Sequence, residues 1–137
     1  MKILLGEEIN LDGKLSIKVS FYKDIIGIIS ISGELTVFVE EFDLLCKEVL
    51  AYIKMGIYRF ILDLGHLTYI DSSGVGVIIR LAAVASKHSS TICVICDQPQ
   101  IKKILEISNV DKIVRFVSNV QEGISFYIAT DRLGEKV

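Results

Sequence analysis

A chain of 137 residues is the length of one ordinary domain, and its 51% hydrophobic content is enough to cover both faces of a central sheet. With 15 basic and 17 acidic residues the net charge is −2, which gives no electrostatic footprint for nucleic acid or an anionic membrane surface. The mean hydropathy is high at +0.52, yet the most apolar stretch, Val75 to Ala85, is interrupted by Arg80 and too short to span a bilayer, so the excess belongs to a core.

The first eight residues bring acids too early, and an apolar run too short, for a secretory signal, which implies a cytoplasmic chain. Ser16 to Phe21 alternates with period two, and after Lys23-Asp24 the run Ile25 to Ile31 is apolar and β-branched, which predicts a hairpin whose second strand is more buried. From Phe38 the spacing turns helical, with Phe42, Leu45, Val49, Tyr52 and Ile53 on one face, charged residues on the other, and Gly56 placed to end the helix. Tyr58 to Leu64 reads as a strand. Ser73 to His88 reads as a helix with Val75, Ile78, Ile79, Ala82 and Ala85 inward, and Lys87 and His88 suit its C-terminal dipole. Thr91 to Cys96 is the next strand. Cys93 and Cys96 have metal or redox spacing, but strand residues three apart point to opposite faces, which favours two core thiols. With Cys46 they form an odd set of reduced thiols and no disulfide framework.

Pro99 opens a helix with Ile101, Ile104 and Leu105 inward, Asn109 stops it, and Ile113 to Val117 is a short strand. Ser118-Asn119-Val120-Gln121 has the spacing of a capping box before a last helix with Val120, Ile124, Tyr127 and Ile128 on one side, and Asp131 to Val137 is expected to fray. The predicted order is β-β-α-β-α-β-α-β-α. It implies one α/β domain over residues 1–137, with a mixed, mostly parallel sheet, an antiparallel N-terminal hairpin and about four helices.

In open α/β sheets the working surface lies where strands end and helices begin, and Ile70-Asp71-Ser72-Ser73-Gly74-Val75-Gly76 is the best such junction here. Asp and Ser favour helix caps, and the two glycines allow another backbone to approach. A phosphate on a serine there would sit beside a positive dipole end, tolerated by the fold but obstructive to a docked partner. The plainer alternative is that Asp71, Ser72 and Ser73 only cap a helix.

Ile61-Leu62-Asp63-Leu64, followed by Leu67-Thr68-Tyr69-Ile70-Asp71-Ser72-Ser73-Gly74-Val75-Gly76-Val77, resembles the signature of the STAS domain, in particular of bacterial anti-sigma factor antagonists. Ile31-Ser32-Gly33-Glu34-Leu35 resembles that family's second-strand ending, and Ile104 to Ile113 resembles its third helix and following turn, so the resemblance runs from about Ser16 to Ala129. It implies a STAS fold and a binding protein that is not an enzyme and carries no cofactor or metal of its own. It further implies that Ser72 accepts a phosphoryl group from a partner that is both an anti-sigma factor and an ATP-binding serine kinase. The unphosphorylated domain would bind that kinase and free a sigma factor; phosphorylation would end the binding, and a phosphatase would restore it. Gly33, Glu34, Thr36, Asp71, Ser73, Gly74 and Val75 are the implied interface. Thr36 departs from the family, which often has Asp there, so either the partner differs or that contact is replaced. A non-switching STAS subunit of a transporter, or a scaffold of a sensory assembly, would share the fold and the motif.

Three rival readings are weaker. Ser72, His66, Asp63 and Asp71 could be imagined as a hydrolase triad, but Ile70 stands where a nucleophile elbow needs glycine. Gly74-Val75-Gly76 lacks the third glycine of a dinucleotide loop. The paired acids of an aspartate-phosphorylated receiver domain are missing after the first strand.

Overall fold

The computed structural model describes residues 3–9, 14–37 and 41–131. Along the chain these form β1 (Ile3–Ile9), β2 (Leu15–Tyr22), β3 (Ile26–Leu35), α1 (Glu41–Lys54), β4 (Arg59–Ile70), α2 (Ser72–Lys87), β5 (Ile92–Ile95), α3 (Pro99–Ile107), a 3-10 turn (Val110–Lys112), β6 (Val114–Phe116) and α4 (Val120–Asp131). The six strands lie side by side in chain order. β1, β2 and β3 are antiparallel neighbours, and β3 to β6 are parallel.

The predicted mixed sheet is therefore present, with one strand more than the pattern gave. β1 falls in a segment whose alternation is broken by a register shift between Leu5 and Glu8, so it carries no period-two signal. The hairpin between β2 and β3 turns through Lys23 and Asp24, both left-handed (φ 53 and 59), the geometry that matches the twist of the flanking strands. Gly56 ends α1 at φ +91, as its position predicted. Phe38 and residues 132–137 lie outside the described residues.

Two apolar layers follow from strand alternation. Ile17 and Val19 of β2, Ile29 and Ile31 of β3 and Leu62 and Leu64 of β4 face a core filled by α1, α2 and α3. Ile26, Ile28, Ile61 and Cys93 face the other way, against Ile124 and Tyr127 of α4. Cys93 and Cys96 belong to these opposite layers, and burial pushes both thiols up, Cys93 to about 11, which keeps them protonated at neutral pH. The fully buried Tyr127 points its hydroxyl at the carbonyls of Thr91 (2.6 Å) and Phe60 (2.9 Å), fixing α4 across β4 and β5.

Two local expectations shift. Ile79 is 41% exposed, because the buried stripe of α2 runs through Gly74, Val75, Ile78, Leu81, Ala82 and Ala85, and Ile79 lies one residue outside it. The capping box before α4 is one residue later than predicted. Asn119 Oδ1 accepts from the Glu122 N–H (2.8 Å) and the Glu122 carboxylate accepts from the Ser118 N–H (3.2 Å), since α4 begins at Val120.

Candidate functional site

β3 and β4 are parallel neighbours whose last residues, Leu35 and Ile70, pair in register. The chain therefore leaves both strands at the same edge, and Thr36 and Asp71 emerge side by side. The Thr36 hydroxyl donates to Asp71 Oδ2, and Asp71 Oδ1 accepts from the N–H groups of Ser73 (3.0 Å) and Gly74 (3.1 Å). Asp71 is thus the N-cap of α2, in extended backbone, and its carbonyl accepts the Val75 N–H at 3.0 Å. A further bond from the Asp71 N–H to the Leu35 carbonyl (3.3 Å) ties the cap to β3.

Burial alone would push the Asp71 carboxyl up, but the Thr36 hydroxyl and the backbone N–H groups of Gly74 and Ser73 outweigh it and hold the group below its ordinary 3.8. A carboxyl lowered on folding stabilises the protein above 3.8, and that contribution is lost as pH falls through the folded-state value. Thr36→Val removes one of the lowering bonds. The variant is expected to lose about 1 kcal/mol at pH 7, and the gap from wild type should close as the pH falls well below 3.8. Urea midpoints at the two pH values check this; an equal gap at both would separate Thr36 from the ionisation of Asp71.

Gly33 and Gly74 shape the same edge. Gly33 has φ +92 and its Cα faces the Lys14 carbonyl, which a Cβ would meet at 2.1 Å. A Cβ on Gly74 would come within 2.5 Å of the Leu35 carbonyl, so glycine lets the first turn of α2 sit on the end of β3. Gln98 supports the far half of β4, where the register with β3 is irregular: its amide N donates to the carbonyls of Leu64 and Leu67, both at 2.7 Å.

Ser72, the first helical residue, is exposed, and among the described residues no hydrogen bond links it to Asp71, His66 or Asp63. Glu34 is also exposed, while Gly33, Asp71 and Ser73 are half-buried. Thr36, Gly74 and Val75 are buried, so they contribute the shape of this surface and the hold on Asp71 but little contact area. The structure brings all eight residues to one edge. It adds two that the sequence pattern did not single out, Val37 and Tyr69, each 50% exposed; Tyr69 pairs with Glu34 across the strands. The signal available for Tyr69 was its place between the inward Leu67 and Ile70 on a strand longer than predicted.

Fold and site together define an α/β sheet domain that presents a serine at the first turn of a helix. Residues 16–123 match the family model of the STAS domain, and the chain belongs to that family. A STAS-domain containing protein of Pseudomonas aeruginosa is 33% identical over 57 residues, 42% of this chain and 56% of that one, so the match spans just over half of that relative. Among solved structures, an anti-sigma factor antagonist from Mycobacterium paratuberculosis is similar with TM-score 0.69 and 16% identity, over 86% of this chain and 97% of that one. The anti-sigma factor antagonist SpoIIAA in its unphosphorylated form is similar with TM-score 0.72 and 16% identity, over 82% and 96%. The phosphorylated form of SpoIIAA, from Bacillus, gives TM-score 0.64 and 17% identity, over 80% and 97%. At these identities the likeness is one of fold.

Proposed function

We propose that this chain is an anti-sigma factor antagonist that works by binding and not by catalysis, and that phosphorylation of Ser72 switches it off. Its partner is an anti-sigma factor that is also a serine kinase and brings the ATP, and a phosphatase reverses the mark. The observation that carries the reading is the division of labour at the start of α2: Asp71 does the capping, and Ser72 is left exposed with no side-chain hydrogen bond among the described residues. A phosphate there adds close to two negative charges at the positive end of the helix, which the fold accommodates and a docked partner does not. The family membership and the SpoIIAA-like fold support it. A cytoplasmic setting suits such a partner, and no described helix is long and apolar enough to cross a membrane.

Incubation with the candidate anti-sigma kinase of the same genome and labelled ATP should mark the wild type and leave Ser72→Ala unmarked. Label retained in the variant would move the acceptor to Ser73 or elsewhere. A wild type that stays unlabelled in a stable complex with a permease would replace the switch by a transporter role.

A further inference from the structure

An open groove of about 250 Å³ lies between α1 and α2. Both helices follow parallel strands and so run in the same direction, which puts Phe42 and Ser73 at one end of the groove and Val49 and Arg80 at the other. It is open to solvent along its length and of the size that takes a small molecule.

Gly76 lines this groove. A glycine inside a helix costs about 1 kcal/mol relative to alanine. At Gly74 and Gly123 close neighbours explain that cost, with a Cβ meeting the Leu35 carbonyl at 2.5 Å and Ile61 at 2.8 Å. At Gly76 a Cβ would meet nothing within 4 Å. No neighbour within 4 Å demands this glycine, and a large side chain there would stand at the wall of the groove it lines.

The lining separates by chemistry. Phe42, Val49 and Val77 give apolar walls, and the Cys46 thiol, pushed up by burial and by the Asp43 carboxylate against the opposing pull of Arg80, is a neutral part of them. Arg80 is exposed and makes no ion pair among the described residues. Asp43, next to Phe42, sits toward the opposite end. An anionic group is therefore favoured at the Arg80 end and disfavoured at the Phe42 end.

The geometry points to a binding site for a small carboxylate with a short apolar tail, its acid group on Arg80 and its tail lying along Val49 and Val77 toward Phe42. This site does not depend on the reading of Ser72.

Hexanoate, titrated into the uniformly 15N-labelled full chain, is the probe. Saturable amide shifts are expected at Ser73, Gly76 and Arg80. Gly76→Leu fills the groove and should abolish them, while Arg80→Gln should weaken binding by roughly three- to tenfold and leave the protein folded. 1-Hexanol, which keeps the tail and lacks the charge, should bind more weakly than hexanoate in the wild type and equally in Arg80→Gln. Shifts that never saturate, that map elsewhere or that survive Gly76→Leu would overturn the site; equal affinity for hexanol and hexanoate in the wild type would overturn the assignment of a carboxylate.

Discussion

Gly33→Ala should lower the melting temperature by roughly 10 °C or more, the thermal equivalent of about 3 kcal/mol in a domain of this size. Two penalties combine at this position. Alanine resists φ +92 at a cost of about 1–2 kcal/mol, and its Cβ would stand 2.1 Å from the Lys14 carbonyl oxygen, a backbone atom that cannot swing aside. That same carbonyl accepts the Glu34 N–H at 2.8 Å, so moving it to relieve the overlap strains the pairing that joins β2 to β3 at the functional edge. Circular dichroism melts of the two proteins decide it; a variant within about 2 °C of the parent would mean that this edge yields far more than its geometry suggests.

Ser72→Asp should do the reverse, leaving the fold alone and removing the partner. The first turn of α2 carries no acid, so a carboxylate there gains from the helix dipole by a few tenths of a kcal/mol, reduced by the neighbouring negative charge of Asp71. The melting temperature should stay within a few degrees of the wild type, while affinity for the anti-sigma kinase should fall at least about tenfold through the charge placed in the docking face. Calorimetric titration of both proteins with that kinase reads the difference. An Asp variant that binds as tightly as the parent would sink the switch and leave Ser72 as a bystander.

Much of this was legible in the sequence for identifiable reasons. Elements with strong periodicity and clear punctuation, such as the β2–β3 hairpin around Lys23-Asp24 and α1 ending at Gly56, stand where the pattern put them. Elements held by tertiary contacts were not legible. β4 was expected to stop at Leu64, because Gly65, His66, Thr68 and Tyr69 break the apolar run; it continues to Ile70 through pairing with β3 and the bonds from Gln98, a residue more than thirty positions away. The motif around Ser72 was readable as a cap, and Asp71 is that cap. What no pattern could give is the bond from Thr36, because it depends on the parallel register that brings Leu35 opposite Ile70. Thr36, expected from the resemblance to be a departure at the interface, is the residue that grips the cap.

That grip carries a kinetic consequence. The carboxylate next to Ser72 is engaged at both oxygens, one by two amides and one by a hydroxyl, so it is committed to capping α2. On the proposed switch, the base that takes the Ser72 proton belongs to the kinase. Once written, a phosphate monoester hydrolyses extremely slowly without catalysis, so the lifetime of the mark would be set entirely by the proteins that add and erase it, and the domain would hold the record between their visits.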